Sequence, residues 1–350
     1  MKRLGKVRLF VGVLAILGVL FGVDARGSEP DGPEQYDEVI KVDGILVADG
    51  RAMQLFTGSP NGARHYAKVV NEYADRLRGK VKIYSMIVPT AQTFYLPESY
   101  VGKVREEPPN IAATYKMLDG SVETVDAVGA LQGHESENLY FRTDHHWTGL
   151  AAYYAYTSFA KTAGFKPIKL DPANKRTISP YRGSLYRYAK ATKEHKADVI
   201  DYWLPTVSVS VERLSSDGNK STPGSLLKES SKGYGVFLGG DYPLMVAHSS
   251  SNSGRRALLI KNSYGNPFAV YLVEHFETLV IVDYRKFEGS VLDLVDQHGI
   301  TDLILVNGAI TANAKGHVGQ LEDLLDGSSG SHSSSEASED AQEPTEHGSD

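Results

Sequence analysis

The alternation of strands and helices in the last third of the chain restricts the fold more than any other feature. Short apolar runs typical of buried strands occupy 257–260, 278–282 and 302–306, and the helical patterns between them span 266–276 and 290–298. Strands that alternate with helices at this spacing form βαβ units, in which the crossovers are right-handed and the strands are parallel. These residues therefore predict an α/β fold built on a parallel sheet.

Earlier segments extend the same pattern. Residues 61–79 carry apolar side chains at helical spacing, with Asn61 as the predicted cap and Gly79 as the predicted stop. The near-continuous apolar run 81–88 is typical of a strand buried on both faces. Residues 149–163 predict another helix. Together the elements indicate a domain with helices on both sides of a sheet, which is a three-layer arrangement.

The middle of the chain has a different character. Residues 207–212 alternate strictly between apolar and polar side chains, and stretches rich in glycine and tyrosine flank them. Such alternation is typical of a strand with one covered face. We interpret residues 175–255 as a β-rich insertion with long loops, within a folded domain that spans residues 28–325.

The composition excludes several classes of protein. The chain has 350 residues, of which 37 are basic and 43 acidic, and it contains no cysteine. A disulfide scaffold, a thiolate zinc site, a cysteine nucleophile and a lipoprotein anchor are therefore all excluded. Because the formal net charge is −6, there is no net attraction toward phosphate backbones, and nucleic acid is not expected as a partner.

The N-terminus has the pattern of an export signal. Four basic residues within the first eight precede the apolar run 9–23, and Val23-Asp24-Ala25 places small residues at a possible cleavage site. We predict that residues 1–27 are a signal peptide or an uncleaved N-terminal anchor. In either case the rest of the chain is exported to the periplasm, cell envelope or exterior, and only the N-terminus contacts the membrane.

The C-terminus has the composition of a solvated tail. Residues 326–350 are rich in serine, carry seven acidic and no basic side chains, and are almost free of apolar residues. A segment of this kind cannot bury enough surface to offset the entropy lost on ordering. We therefore predict a disordered acidic tail.

Two short segments carry the residues best suited to chemistry. Residues 261–267 place Ser263 on a turn between a parallel strand and a helix, where functional groups gather and a backbone N–H can hold an oxyanion. Residues 143–149 supply Asp144 and His146, which project to the same side if this stretch is extended. A serine nucleophile requires a base, and the base requires an orienting group. The sequence thus predicts a Ser263–His146–Asp144 triad.

Other interpretations of the same residues remain open. Ser263 could merely cap a turn, and Asp144 could compensate the dipole of the helix that follows it. Asp144, His145 and His146 could instead bind a metal, with the more distant histidines His134, His195 and His248 as further ligands. Neighbours in an extended chain point apart, however, so no metal site is predicted. Trp147 is expected in the core or in the wall of a cleft.

The motif around the histidines resembles that of a known family. The run T-D-H-H-W-T at 143–148 is similar to the signature of the DHHW family of exported bacterial proteins and to the D-T-H-W-T motif of the alginate O-acetyltransferases AlgJ and AlgX. Residues 87–98, Gly183–Tyr186 and the K-N-S-Y-G-N-P-F around Ser263 support the resemblance, which covers roughly residues 40–310. It implies a flavodoxin-like fold of the SGNH hydrolase-like superfamily.

The resemblance also implies roles for individual residues. Asp144, His146 and Ser263 match the catalytic residues of the family, in a permuted order with Asp and His before Ser, whereas His145 falls where the acetyltransferases have Thr. The chain departs from the family where Lys261 and Asn262 replace the Gly-Asp before the serine. Four residues are candidates for oxyanion or substrate binding: Tyr264, Asn266, Trp147 and Arg285. Arg285 could equally pair with a carboxylate.

These observations predict an exported serine O-acetyltransferase or carbohydrate esterase. Its expected partners are a cell-surface polysaccharide and an acyl donor, which a membrane O-acyltransferase could supply. No organic cofactor is expected, because no G-x-G-x-x-G or P-loop pattern occurs. The rival hypotheses are a non-catalytic carbohydrate-binding or assembly protein on the same fold, a metal-dependent hydrolase, and a scaffold that acts through its acidic tail.

Overall fold

The computed structural model describes residues 40–193 and 195–327. The predicted leader and residues 328–350 of the predicted tail lie outside the described residues. Within those two ranges, no helix is long and apolar enough to cross a membrane.

Thirteen strands and nine helices make up the described part. The strands are β1 (Ile40–Val42), β2 (Ile45–Ala48), β3 (Arg51–Gln54), β4 (Lys82–Val88), β5 (Val122–Thr124), β6 (Lys175–Tyr181), β7 (Asp198–Trp203), β8 (Val209–Leu214), β9 (Ser221–Pro223), β10 (Leu244–Ser249), β11 (Arg256–Lys261), β12 (Thr278–Asp283) and β13 (Asp302–Gly308). The α-helices are α1 (Pro60–Arg76), α2 (Gln92–Tyr95), α3 (Glu107–Tyr115), α4 (Ala127–Leu131), α5 (Gly149–Thr162), α6 (Tyr186–Ala189), α7 (Gly265–Leu272), α8 (Val291–His298) and α9 (Lys315–Asp326).

The central sheet has eight strands in the order β5-β4-β13-β11-β12-β10-β8-β9. The first five strands in this order run parallel to one another, as the βαβ pattern predicted. They are β5, β4, β13, β11 and β12. Strands β10, β8 and β9 continue the sheet in antiparallel pairs. The predicted α/β class is confirmed, with the difference that the sheet is mixed.

The region interpreted as an insertion contributes to this sheet. Strands β8, β9 and β10 of the region 175–255 form its antiparallel end, whereas β6 and β7 pair in a separate two-stranded sheet. The strict alternation in β8 is therefore the signature of an outer strand of the main sheet. A three-stranded sheet of β1, β2 and β3 lies near the start of the described chain.

Both faces of the central sheet are covered by helices, so alternate residues of one strand enter different cores. In β11, Leu259 packs in a core with Phe159 of α5 and Phe268 of α7. Its neighbour Leu258 packs on the other face, in a core with Val70 of α1. Each such leucine, fully buried, stabilises the fold by about 1.5–3 kcal/mol. This double coverage explains the near-continuous apolar runs of the parallel strands.

Helix ends differ in detail from the sequence prediction. Helix α1 is capped by Ser59, whose Oγ accepts from the Gly62 N–H at 3.2 Å, and not by Asn61. Pro60 occupies the first position of the helix, where proline is favoured because the backbone N–H that it lacks would have no partner within the helix. Gly79 has a φ of +76° but lies in the turn beyond the end of α1 at Arg76. Helix α7 ends at Leu272, four residues before the predicted 276.

Candidate active site

Ser263 lies on the turn that joins β11 to α7, at the carboxyl edge of the parallel strands. The turn is closed by the Gly265 N–H, which donates to the Asn262 carbonyl at 2.9 Å, and by the Asn266 N–H, which donates to the Ser263 carbonyl at 3.1 Å. A Cβ at position 265 would come within 2.5 Å of the Lys261 Cβ, so only glycine allows this close approach. The tight turn leaves the Ser263 side chain partly exposed.

Asn262 stabilises the turn through two hydrogen bonds of its side chain. Its Oδ1 accepts from the Tyr264 N–H at 3.3 Å and its Nδ2 donates to Thr311 Oγ1 at 3.0 Å. Both contacts are made by a neutral amide, so the turn is stabilised here without the charge that an aspartate would carry.

The three residues predicted from sequence meet in one chain of hydrogen bonds. His146 Nε2 lies 2.7 Å from Ser263 Oγ, and His146 Nδ1 lies 2.7 Å from Asp144 Oδ1. Because a carboxylate can only accept, the Nδ1 proton belongs toward Asp144, and Nε2 is then the acceptor that faces the serine hydroxyl. The catalytic role of these residues remains a prediction from sequence, which the contacts make chemically feasible.

Asp144 is buried, and four donors form hydrogen bonds with its two carboxylate oxygens. It accepts from the His146 N–H at 2.9 Å and the Ser184 N–H at 2.9 Å, and from the Tyr181 hydroxyl at 2.7 Å, in addition to the imidazole. Burial by itself would raise the pKa of Asp144, but the adjacent His146 and His145 and these hydrogen bonds lower it well below its usual value. The group is therefore a carboxylate at neutral pH.

A second buried carboxylate holds the segment that carries Asp144. Asp198, at the start of β7, accepts from the Arg142 and Thr143 N–H groups, each at 2.7 Å, and from the Thr143 hydroxyl at 2.6 Å. Gly183 packs directly on Asp144: a Cβ at this position would lie 2.3 Å from Asp144 Oδ2. The segment is thus fixed from both sides by residues distant in sequence.

Two tyrosines complete the site, and sequence reasoning did not single them out. Tyr181 donates to Asp144, as described above. Tyr234 stacks on the His146 ring with centroids 3.9 Å apart and planes 9° from parallel, and its hydroxyl donates to the Ser263 carbonyl at 3.2 Å. Both come from the region 175–255. The only signal that pointed to this region was the G-S-L-Y at Gly183–Tyr186, whose first two residues contact Asp144.

The other predicted site residues make contacts within the protein. Trp147 is buried and its Nε1 donates to the Tyr264 carbonyl at 2.9 Å, while the Tyr264 hydroxyl donates to the His145 carbonyl at 2.7 Å. Asn266 donates through Nδ2 to Asp241 at 2.8 Å, and its Oδ1 is buried with no hydrogen-bond partner among the described residues. Their roles in oxyanion or substrate binding remain predictions.

Lys261 belongs to a largely buried group of four charges below the serine turn. Its Nζ contacts Asp241 Oδ1 at 2.9 Å and Asp283 Oδ2 at 3.2 Å. Arg285 contacts the same two carboxylates at 2.6 and 2.8 Å. The pairing of Arg285 with carboxylates, which the sequence analysis left open, is thus present in the structure. Asn266 joins α7 to this group, so the charges support the turn that presents Ser263.

The buried carboxylates should make stability depend on acid pH. Burial alone would raise the pKa of Asp241 and Asp283, but the charges of Lys261 and Arg285 hold both below the usual value. A carboxyl whose pKa is lower in the folded state stabilises that state above its unfolded pKa, and the stabilisation is lost as the pH falls toward the folded value. We expect the free energy of unfolding, measured with urea, to fall as the pH is lowered below about 4.

The Asp241→Asn variant isolates this effect. Burial raises the pKa of Glu107 and Asp198, so these groups act in the opposite sense, and a difference between two proteins cancels their contribution. The variant should lose less stability between about pH 5 and pH 3 than the original chain does. An equal loss in both proteins would show that the charge group is not the cause.

The potential metal ligands are also adjacent in space, because residues 142–146 form bends and not the extended stretch in which neighbouring side chains would point apart. Ligand atoms of Asp144, His145 and His146 lie within 4.8 Å of one another, and in residues 40–193 and 195–327 they are the only such group. The rings of His145 and His146 have centroids 3.8 Å apart, and His145 Nδ1 lies 2.7 Å from Ser184 Oγ. His134 and His195 do not join them: the first pairs with Glu137 and the second contacts the Thr192 carbonyl.

Comparisons with known proteins agree with this architecture. The family model described as DHHW protein matches residues 39–282. The chain is similar to a DHHW family protein from Eubacterium siraeum, with 27% identity, a TM-score of 0.76, and coverage of 83% of this chain and 99% of that one. It is similar to Bacillus cereus PatB1, solved with a sulfonyl adduct, with 18% identity, a TM-score of 0.65, and coverage of 81% and 100%. No curated protein matches the chain.

Proposed function

The chain belongs to the DHHW family, and from this premise we propose that it is an exported serine O-acyltransferase or esterase that acts on acetyl groups of a cell-envelope polysaccharide. The observation that carries the proposal is the hydrogen-bonded series Asp144–His146–Ser263, with both connecting distances at 2.7 Å. The order Asp, His, Ser along the chain does not weaken it, because such triads are defined by geometry. The choice of acetyl groups comes from the sequence resemblance to acetyltransferases.

The proposed reaction has two halves. In the first, Ser263 Oγ attacks the carbonyl carbon of an acetyl ester while its proton passes to His146 Nε2. The tetrahedral intermediate collapses, the bond to the donor oxygen breaks, and His146 returns the proton to that oxygen. In the second half, His146 takes a proton from a sugar hydroxyl or from water, whose oxygen attacks the acetyl-serine. The second tetrahedral intermediate collapses, the bond between the acetyl carbon and Ser263 Oγ breaks, and His146 returns its proton to Oγ, which regenerates the Ser263 hydroxyl.

The neighbours of the triad support each requirement of this reaction. The Asp144 carboxylate holds the imidazole and stabilises the imidazolium that forms. The Ser263 N–H donates to no acceptor among the described residues and lies next to the N-terminus of α7, so it is available to an oxyanion. Tyr234 covers one face of His146 and limits the positions that the ring can adopt. Water and acyl donor can reach the partly exposed Ser263.

Hydrolysis of 4-nitrophenyl acetate in the presence and absence of EDTA tests the proposal against the metal alternative. We expect turnover to be unchanged by EDTA, because the triad needs no ion, and to fall at least about a thousandfold in His146→Ala. Loss of activity with EDTA and recovery with a divalent metal would favour a metal-dependent hydrolase at Asp144, His145 and His146.

The non-catalytic rival makes a different prediction for the same protein. A glycan-binding or assembly protein on this fold would bind polysaccharide, show no esterase activity and give no reaction between Ser263 and a sulfonyl fluoride or fluorophosphonate. A scaffold that acts through its tail would likewise show no esterase activity, and deletion of residues 326–350 would abolish its function with the fold intact. Either result would overturn the proposed function.

A further inference from the structure

A row of exposed cations begins beside the candidate active site. The segment 182–196 contains five basic side chains, all exposed, which we call the basic strip: Arg182, Arg187, Lys190, Lys193 and Lys196. In sequence the segment carries a single acid, Glu194. The next acid, Asp198, is buried and accepts hydrogen bonds from the backbone of the segment that holds Asp144. The strip therefore has a local excess of positive charge in a chain whose formal net charge is −6.

The strip is attached rigidly to the rim of the site. The N–H groups of Ser184 and Leu185 donate to Asp144 Oδ2 at 2.9 Å and to the Thr143 carbonyl at 2.8 Å. Gly183 lies against the Asp144 side chain. Arg182 is thus one residue away from groups that contact the triad carboxylate. A ligand held by the strip would extend to the opening in which Ser263 is exposed.

Packing determines which side of the strip faces solvent. Leu185 and Ala189 are buried in a small core with Ile45, Val47 and Ala52 of the β2–β3 hairpin. One face of α6 is therefore fixed against the protein, while Arg187 within the helix and Lys190, which follows its last residue, are exposed. The part of the strip from Arg182 to Lys190 is consequently held on a fixed backbone, so little backbone entropy should be lost when a ligand binds there.

The cations of the strip form no ion pairs within the described residues, whereas several other surface cations do. Lys68, Arg76 and Lys80 all contact carboxylates of neighbouring elements. In the strip, Arg187 instead lies 4.7 Å over the Tyr188 ring, and Arg182 lies 5.2 Å over the Tyr186 ring. Positive charge and partly exposed aromatic rings thus alternate along it, which suits a chain of sugar or polyol units that carries anionic groups.

From this placement we propose that the basic strip binds the acyl acceptor and that the acceptor is a polyanion, a glycan or polyol chain bearing carboxylates or phosphodiesters. The statement that the bound polymer is the acceptor rests on the proposed function, whereas the binding itself does not. Cations spaced three to five residues apart would contact successive charges of such a polymer and place a hydroxyl group next to Ser263. The strip would thereby raise the local concentration of acceptor and favour transfer over hydrolysis.

Direct binding measurements with two variants of equal charge test this proposal. The strip variant is Arg187→Glu, Lys190→Glu and Lys193→Glu. The control variant is Lys82→Glu, Lys161→Glu and Lys166→Glu, which reverses three exposed cations that are likewise without ion pairs within the described residues. Lys82 begins β4 and Lys161 lies in the last turn of α5, both at the end of the domain opposite the site. Because each variant replaces three cations with three glutamates, the two variants change the net charge equally.

Titrations with polygalacturonate, poly(glycerol phosphate) and neutral dextran distinguish the possible ligands. We expect the Kd for at least one polyanion to rise about tenfold or more in the strip variant, and to stay within about twofold of the original value in the control. Binding should also weaken when NaCl is raised to about 0.5 M, because salt screens exposed charges. The polyanion with the lower Kd identifies carboxylate or phosphodiester as the preferred group.

Three results would overturn the proposal: equal Kd changes in the two variants, dextran binding as tight as that of the polyanions, or tighter binding to phosphatidylglycerol vesicles than to either polymer. The last would assign the strip to a membrane surface. Labelling of Ser263 by a fluorophosphonate, measured in parallel, keeps the two claims separate. Strip-dependent binding without labelling would contradict the proposed function alone, whereas labelling without strip-dependent binding would contradict this inference alone.

Discussion

Replacing Ser263 with alanine is expected to lower kcat for acetyl-ester hydrolysis by about a thousandfold or more. The variant lacks the nucleophile, so no acetyl-enzyme can form, and only positioning and oxyanion stabilisation remain. The fold should persist, since among the described residues the only side-chain hydrogen bond lost is the one between Ser263 Oγ and His146 Nε2. The decisive comparison is therefore kcat together with the urea midpoint of the same preparation.

Ser158→Ala provides a matched control for this experiment. Ser158 lies in α5, on the same helix that follows the histidine segment, and it is only partly buried. The same loss of a hydroxyl at this position should leave kcat within about twofold. If Ser263→Ala kept more than about a tenth of the turnover with an unchanged urea midpoint, Ser263 would not be the nucleophile.

Replacing Asp144 with asparagine should lower kcat/KM by about a thousandfold to ten-thousandfold. The carboxylate accepts from the imidazole, from two N–H groups and from the Tyr181 hydroxyl. An amide has one oxygen fewer to accept with, and its NH₂ group would face donors or force His146 into the tautomer with the proton on Nε2. That tautomer cannot take the proton of Ser263.

Tyr181→Phe is a milder substitution that affects the same carboxylate. It removes one hydrogen bond to Asp144 but keeps the carboxylate, its charge and the aromatic packing. We expect kcat/KM to fall by about tenfold, far less than in Asp144→Asn. Equal losses in the two variants would indicate that general disruption of the site, and not the tautomer of His146, causes the effect. Activity of Asp144→Asn close to that of the original chain would contradict the assigned role.

The carboxyl-edge location of Ser263 was predictable because local rules determine it. The apolar run of β11, the glycine and proline that open α7, and the parallel order of β11, β12 and β13 are all encoded by short segments. The proximity of Asp144 and His146 to Ser263 required one further step: the motif resemblance linked two segments more than a hundred residues apart. The local geometry differs from the extended stretch that was expected: residues 142–146 form bends, and the His146 N–H donates to Asp144 Oδ1 at 2.9 Å, which brings the carboxylate to the imidazole.

The parts not predicted depend on long-range contacts. Tyr181 and Tyr234 carry no distinguishing signal in the sequence, and nothing local shows that one reaches Asp144 and the other stacks on His146. The membership of β8–β10 in the main sheet depends on pairing with β12 across an antiparallel connection. Nothing in the sequence shows what the departure at Lys261 does, whereas in the structure its ammonium group is paired with Asp241 and Asp283.

The most direct test of the central claim is to locate a covalent adduct by mass spectrometry after reaction with a fluorophosphonate. Such reagents phosphonylate serine hydroxyls that a neighbouring base has activated. The account predicts one modified peptide, with the adduct on Ser263, and loss of that adduct in His146→Ala. A folded protein that gives no adduct, or one that is modified equally when Ser263 is alanine, would contradict the account.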